Sequence, residues 1–306
     1  MENIPTFSII LATYNRAHLL PRAISSVLSQ SYENYELLIV DDGSTDNTKQ
    51  VVHSFNDQRI RYYSKEKNVG VLNSWNIGLN NAIGKYIYFF CDDDELTQGA
   101  LELIIQQIDN FPLEKNKFFW FDCIDAETNS FSGTGLRGFE KKIVYLDLLC
   151  GKIRGDYAVV FNREAFGTNR FDERLWGMEG LLWLKLHKQY DGYYFPKVIL
   201  KAYRNHGVRI CNTSILLHLS HYILGETIYL NEFGDELKSM CPHRYGEHLS
   251  NLGYYQMLDG QKNNAKENML SSLKYRFSIK LLIFYIMSYF LSKQQVIFLC
   301  RTFKQV

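Results

Sequence analysis

Short apolar runs alternate with segments of helical spacing in the first part of the chain. The runs at 7–12, 37–40 and 86–90 have the length and the β-branched or aromatic content of buried strands. Apolar residues recur at i, i+3 and i+4 after Pro21, and again over 71–82 in a helix that we expect Gly84 to end. This alternation predicts an α/β fold with a mostly parallel central sheet and helices on both faces.

The apolar spacing changes character along the 306-residue chain, which is long enough for one large domain and a smaller one. Strand-like aromatic runs continue after residue 115, for example at 118–121. From residue 212 onward the spacing is helical, and 253–273 resembles a helix pair of the tetratricopeptide type. We therefore expect a first domain over 1–210, divided into 1–115 and 116–210, and a helical C-terminal region over 211–306.

The charge of the whole chain argues against a nucleic-acid-binding protein, because 34 Lys and Arg residues balance 33 Asp and Glu residues. The segment 261–306 differs, with eight basic residues and one acidic residue. Its most apolar stretch, 279–291, is shorter than the about twenty residues that a membrane-spanning helix needs. Helices lying on an anionic membrane surface and a buried helix pair both fit this pattern.

The six cysteines lie more than twenty residues apart and form no Cys-x-x-Cys pair. This spacing predicts reduced, mostly buried thiols rather than a zinc or redox site. No basic segment precedes the first apolar run, so we expect no signal peptide. The prediction is a cytoplasmic protein, located at the cytoplasmic face of the membrane if the C-terminal helices bind lipid.

Polar side chains follow three of the predicted strands at the point where each strand ends. Because ligands of parallel sheets bind beyond the carboxyl ends of the strands, we expect these side chains to share one site. Tyr14 is suited to stacking on a base, and Asp42 to accepting a hydrogen bond from an imide N–H such as that of uracil. The three groups are Thr13-Tyr14-Asn15, Asp41-Asp42 and Asp92-Asp93-Asp94.

The acidic run 92–95 has two interpretations. Four adjacent carboxylates repel one another, and hard oxygen ligands suit Mg²⁺ or Mn²⁺, which would also bridge a diphosphate. In isolation, a solvated acidic turn would be the better interpretation, and 41–44 would be an ordinary turn before a helix. Their shared position at strand ends favours the metal site.

Several motifs, taken in order, resemble those of the family-2 glycosyltransferases. The resemblance implies a GT-A fold, with a nucleotide-sugar half at 1–115 and an acceptor half at 116–210. It also implies an inverting, metal-dependent transfer from a nucleotide-diphosphate sugar, of which a UDP-hexose is the expected kind. The acceptor would be a hydroxyl of a surface or lipid-linked glycan. The motifs stand at 8–16, 40–46, 68–70 and 76–78.

The same resemblance implies roles for individual residues. Glu179, in a stretch similar to the family's Glu-Asp segment, would be the catalytic base, with glutamate in place of aspartate. Asp92, Asp94 and His206 would hold the metal. Ser74-Trp75 stands where relatives often carry an arginine. The donor-binding residues would be Thr13, Tyr14, Asn15, Asp42, Asn68, Asp93 and Arg209.

Other interpretations of these residues stay open. Glu179 is equally suited to the first turn of the following helix, His206 to a structural role, and Arg209 to the surface. A protein that binds nucleotide sugars or acts as a scaffold, without turnover, would also explain the departures at Glu179 and Trp75. A nucleotidyltransferase would need a glycine-rich loop after the first strand, and 13–20 contains no glycine.

Overall fold

The computed structural model describes residues 4–109, 111–112, 114–204, 215–290 and 293–302, with the side chains of 299–302 excepted. The chain divides into two compact units. The first comprises Met1–Leu148, Lys152–Glu173 and Leu182–His206. The second comprises Leu149–Gly151, Arg174–Leu181 and Gly207–Val306.

Four parallel strands form one side of the sheet in the first unit, in the order β3-β2-β1-β4. The register pairs Thr13 with Asp41 and Ala12 with Cys91, so the strands end at one edge of the sheet. The strands are β1 (Phe7–Thr13), β2 (Tyr35–Asp41), β3 (Ile60–Ser64) and β4 (Tyr86–Cys91), and the connecting helices are α1 (Leu20–Leu28), α2 (Thr48–His53) and α3 (Val71–Asn81). These elements confirm the predicted βαβ alternation.

Both faces of β1 and β2 are covered, because nearly every side chain in them is buried. Pro21 lies in the first turn of α1, as predicted. Gly84 does not end α3, which stops at Asn81. A Cβ at Gly84 would lie 2.6 Å from the backbone nitrogen of Ser8, so the glycine permits a close approach to β1.

The other side of the sheet mixes strand directions. β10 lies antiparallel between β4 and β6, while β6 and β11 are parallel. The short β5 pairs with β11, which fixes the end of the acidic run to the sheet through the pairing of Glu95 with Lys201. The elements are β5 (Glu95–Leu96), α4 (Ala100–Ile108), β6 (Asn116–Asp125), β7 (Gly133–Thr134), β8 (Lys141–Ile143), α5 (Tyr145–Leu149), β9 (Arg154–Gly155), β10 (Tyr157–Asn162), α6 (Gly180–His187) and β11 (Asp191–Ala202).

The described part of the second unit is mainly helical. α8 and α9 pack closely at Gly253, where an added Cβ would lie 3.1 Å from the backbone oxygen of Ala265 and 3.2 Å from the backbone nitrogen of Met269. The core of this unit contains Leu219, Met257, Leu258, Ala265, Met269, Leu281 and Val296. The helices are α7 (Leu219–Met240), α8 (Pro242–Asp259), α9 (Lys262–Leu273), α10 (Ile279–Phe290) and α11 (Lys293–Thr302). The predicted α/β fold followed by C-terminal helices is confirmed.

The expectation that all cysteines are reduced is wrong for one pair. Cys150 and Cys241 form a disulfide, with their Cα atoms 5.4 Å apart. They are separated by 91 residues in sequence, so spacing alone gave no sign of their proximity. Cys91 and Cys123 are free thiols. Among the described helices, none is both long and apolar enough to cross a membrane.

Candidate active site

The loops that follow β1 and β2 are held together by Asn15. Its backbone N–H donates to Ser44 Oγ at 2.9 Å, and its side-chain Oδ1 accepts from the Thr45 N–H at 2.7 Å. Asn15 adopts a positive φ of 51°, which asparagine tolerates better than most residues. The adjacent Tyr14 remains 41% exposed, whereas Thr13 is buried at the end of β1. The arrangement leaves an aromatic ring accessible at the strand-end edge.

Asp42 is buried and organises the loop that contains Asn68. Its two carboxylate oxygens accept hydrogen bonds from the backbone N–H groups of Val69 and Gly70, each at 2.8 Å. Lys65 forms an ion pair with it at 2.5 Å. The carboxylate therefore ties the end of β2 to the loop before α3. Each of its oxygens can accept more than one hydrogen bond, so these contacts are compatible with a ligand donor.

Two arginines hold the first part of the acidic run. Arg16 Nη1 lies 2.7 Å from an oxygen of Asp92 and 3.0 Å from an oxygen of Asp93. Arg22 donates to the backbone carbonyl of Asp93 at 2.5 Å and stacks over the Tyr203 ring at 3.6 Å. These guanidinium groups offset part of the carboxylate repulsion. Neither arginine was predicted from the sequence as a site residue, since neither stands in an acidic motif.

Asp94 and Glu95 occupy contrasting environments. Glu95 accepts from the Tyr203 hydroxyl at 2.7 Å and pairs with Lys201 at 3.3 Å. Asp94 is only 9% exposed, and burial together with the charge of Asp93 raises the pKa of its carboxyl to about 8. A hydrogen bond from the Tyr203 backbone N–H opposes part of this rise. A cation next to Asp94 would therefore stabilise the ionised form of its carboxyl.

A candidate metal-ligand group lies at the end of β4. Cys91 Sγ and one carboxylate oxygen each from Asp93 and Asp94 lie within 4.8 Å of one another. Such a set of one sulfur and two oxygens fits a divalent cation, which would bring the three donors closer together. Of the predicted metal ligands, Asp94 belongs to this group and Asp92 contacts Arg16. His206 lies outside the described residues.

The remaining predicted site residues do not all fall within the described part of the chain. Glu179 is partly buried, immediately before α6, in the segment assigned to the second unit. Arg209 lies outside the described residues. Trp75 packs against Phe89 and Phe171, at ring-centroid distances of 5.1 and 5.3 Å. An aromatic packing role therefore accounts for the tryptophan at this position.

Two bacterial enzymes are similar to this chain over much of its length. One is the Campylobacter jejuni GalNAc(5)-diNAcBac-PP-undecaprenol beta-1,3-glucosyltransferase, 35% identical over 66% of this chain and 64% of the relative. The other is the Escherichia coli UDP-Glc:alpha-D-GlcNAc-diphosphoundecaprenol beta-1,3-glucosyltransferase WfgD, 36% identical over 51% of this chain and 60% of the relative. The chain thus aligns with less than two thirds of the length of either enzyme.

Solved structures share the fold at low sequence identity. S. aureus TarS 1-349 in complex with UDP-GlcNAc superposes with a TM-score of 0.68 and 17% identity, covering 87% of this chain and 81% of TarS 1-349. The mannosyltransferase PcManGT from Pyrobaculum calidifontis, in complex with GDP-Man and Mn²⁺, gives a TM-score of 0.55 and 15% identity, covering 93% and 79%. The fold is of the GT-A type.

A family model gives the most specific assignment. The model described as Glycosyl transferase family 2 matches residues 8–168, which is more than half of the chain. The matched segment contains β1 to β4, the loops held by Asn15 and Asp42, and the acidic run after β4. This confirms the family that the sequence motifs indicated. The chain belongs to glycosyl transferase family 2.

Proposed function

We propose that this protein is an inverting glycosyltransferase that moves a hexose from a UDP-sugar to a hydroxyl of a lipid-linked glycan. Surface polysaccharide or lipid-linked oligosaccharide synthesis is the process in which it would act. Family membership supports sugar transfer, and the names of the C. jejuni and E. coli relatives include undecaprenol-linked acceptors. The donor in the name of the E. coli relative suggests a UDP-sugar for this chain, and the acceptors in both names suggest a lipid diphosphate.

The observation that carries the proposal is the meeting of three polar groups at one edge of the sheet. The register places the ends of β1, β2 and β4 side by side. Tyr14 presents an exposed ring for a base, and Asp42 holds the loop of Asn68 next to the end of β2. Thr13 and Asn15 complete the nucleotide side of the proposed site. Groups suited to a base and to a metal-bound diphosphate at neighbouring strand ends fit a nucleotide sugar.

The acidic run is the proposed diphosphate end of the site. Asp93 and Asp94 would hold Mn²⁺ or Mg²⁺, with Asp92 and His206 as further candidate ligands. A bound divalent cation neutralises the charge of a departing diphosphate. Arg16 and Arg22 hold Asp92 and Asp93 in place, and Arg209 is the proposed cationic contact to the donor phosphates.

Glu179 is the proposed catalytic base. A carboxylate can take the proton of an acceptor hydroxyl as that oxygen attacks the anomeric carbon. Attack from the face opposite the leaving diphosphate inverts the anomeric configuration and needs no covalent enzyme intermediate. The role of Glu179 depends on the family motif in which it stands.

The C-terminal helices are the proposed contact with the cytoplasmic face of the membrane. Ile279, Ile283, Ile286 and Phe290 recur at helical spacing on α10 and are 68%, 51%, 49% and 80% exposed. The segment 268–306 contains six basic residues and no acidic residue. An apolar stripe within a cationic segment suits an anionic bilayer surface, where a lipid-linked acceptor also lies.

A transfer assay on membrane lipids tests the proposed activity. The full chain is incubated with a labelled UDP-hexose, Mn²⁺ and extracted undecaprenyl-diphosphate glycans, and the lipid product is analysed by NMR. The expected product carries one added sugar whose anomeric configuration is opposite to that of the donor. Binding of UDP-sugars with no transfer to any lipid-linked or free glycan would instead favour a nucleotide-sugar-binding protein.

Vesicle flotation tests the membrane contact separately. We expect the chain to float with phosphatidylglycerol vesicles and not with phosphatidylcholine vesicles. The double variant Ile283→Ser/Ile286→Ser should lose flotation, whereas Leu270→Ser, an exposed apolar residue on α9, serves as the matched control. Equal flotation of the double variant and the native chain would refute the assignment of the α10 stripe.

A further inference from the structure

The metal-ligand group at the end of β4 contains a thiol. Cys91 is the last residue of β4, and its pairing with Ala12 of β1 fixes its backbone in the sheet. Its Sγ and one carboxylate oxygen each from Asp93 and Asp94 lie within 4.8 Å of one another. Cys91 is exposed, whereas the other free thiol described, that of Cys123, is buried. A cation bound by the carboxylates would therefore have a sulfur beside it.

Sulfur and oxygen ligands select different cations. Mg²⁺ and Ca²⁺ prefer oxygen ligands, and Mg²⁺ requires short, near-octahedral coordination. Thiolates favour softer ions such as Zn²⁺, and the affinity of mixed sites rises from Mn²⁺ through Co²⁺. Replacing one oxygen by a sulfur at a two-carboxylate site should thus weaken Mg²⁺ binding relative to Co²⁺ or Zn²⁺ binding.

We propose that Cys91 is a ligand of the active-site cation and biases this site away from Mg²⁺ toward Mn²⁺, Co²⁺ and Zn²⁺. On binding, the Cys91 thiol releases its proton to solvent and the thiolate joins Asp93 and Asp94. This inference rests on the proposed metal site of the glycosyltransferase. It adds a specificity-determining residue that the acidic motif alone does not indicate.

Substitutions at Cys91 should have opposite effects on the affinities for hard and soft cations. The Kd values for Co²⁺ and Mg²⁺ are measured by calorimetry on the full native chain, Cys91→Ser, Cys91→Asp and Cys123→Ser. Cys91→Ser should raise the Kd for Co²⁺ at least about tenfold, the low end of the effect of altering even an outer-shell partner. Cys91→Asp should lower the Kd for Mg²⁺. Cys123→Ser should change neither value.

Absorption spectroscopy gives a readout that does not depend on activity or affinity. A cobalt thiolate has a near-ultraviolet charge-transfer band, so the band should appear when Co²⁺ is added to the native chain and to Cys123→Ser. It should be absent from Cys91→Ser at saturating Co²⁺. A band that persists in Cys91→Ser, or equal Co²⁺ affinities in the native chain and both Cys91 variants, would overturn the assignment.

The outcome is separable from that of the proposed function. UDP binding is measured with Mn²⁺ and with EDTA on the same four proteins. If UDP binding needs Mn²⁺ while Cys91→Ser keeps the cobalt band, the metal site stands and the role of Cys91 is refuted. If UDP binds none of the four proteins under any condition, the nucleotide site itself is wrong.

Discussion

Asp94→Asn should stabilise the metal-free protein while removing its response to metal. Asp94 is 9% exposed, and burial and Asp93 raise its pKa from 3.8 to about 8. At neutral pH the folded chain must therefore keep a proton on Asp94 that the unfolded chain releases. Asparagine is neutral and close in shape to the protonated acid, and its side-chain oxygen can still accept from the Tyr203 N–H. The substitution removes the cost of holding this proton.

The size of this effect follows from the two pKa values. Each pKa unit corresponds to 1.36 kcal/mol. The shift therefore lowers the free energy of unfolding of the native chain by at most about 4 kcal/mol at pH 7. At pH 5 the unfolded chain is still mostly ionised at this group, but the pH is only about one unit above its unfolded pKa of 3.8, so the cost falls to about 2 kcal/mol. Because an acid with a raised pKa takes up a proton on folding, native stability should rise as the pH falls from 8 toward 4.

Urea unfolding of the native chain and Asp94→Asn, in EDTA at pH 5, 6, 7 and 8, measures this difference. The variant should be the more stable protein, and its advantage should shrink by about 2 kcal/mol between pH 7 and pH 5. Asp235→Asn, an exposed position on α7, controls for loss of one negative charge. Added Mn²⁺ should stabilise the native chain and not Asp94→Asn. A stability difference that is independent of pH would refute the argument.

Three further predictions address the base, the packing and a buried imidazole. Glu179→Gln should lower the transfer rate, measured from initial rates, by about 10²-fold or more. The Kd of UDP, measured by calorimetry, should not change. An unchanged transfer rate would exclude Glu179 as the catalytic base. Gly84→Ala should cost about 1–3 kcal/mol in urea unfolding, because its Cβ would meet the Ser8 backbone, whereas Gly180→Ala has open space and should cost less. Burial lowers the pKa of His187 to about 4, so the NMR signals of its ring should not titrate between pH 8 and 5. The stability that the neutral ring contributes should be lost as the pH falls from 6.5 toward 4.

The strands of the parallel half of the sheet were predictable because most of their residues are simply buried. The runs that became β1, β2 and β4 are buried on both faces, so apolar content alone marks them. Gly84 was assigned to a helix end, but its requirement is the nearby backbone of Ser8. Periodicity carries no information about such contacts between distant segments. The Cys150–Cys241 pair was missed for the same reason.

The candidate site was predictable in position but not in its internal contacts. Strand ends located the acidic run, since parallel strands end at one edge. The sequence could not distinguish Asp92, which contacts Arg16, from Asp94, which lies beside Cys91. Nor did it connect Cys91 with the carboxylates, because a single cysteine carries no metal-site spacing. These distinctions depend on the path of the loop after β4.

Metal-dependent turnover of a nucleotide sugar would show whether the strand-end site of this protein acts on a sugar donor. Purified full-length protein is incubated with UDP-, GDP- and dTDP-sugars, in Mn²⁺ or in EDTA, and the released nucleoside diphosphate is quantified without acceptor. We expect slow release from one UDP-hexose in Mn²⁺, none in EDTA, and none from Asp94→Ala in either condition. If the protein neither binds nor cleaves any of the sugar nucleotides in the presence of any divalent cation, the proposed donor site is wrong.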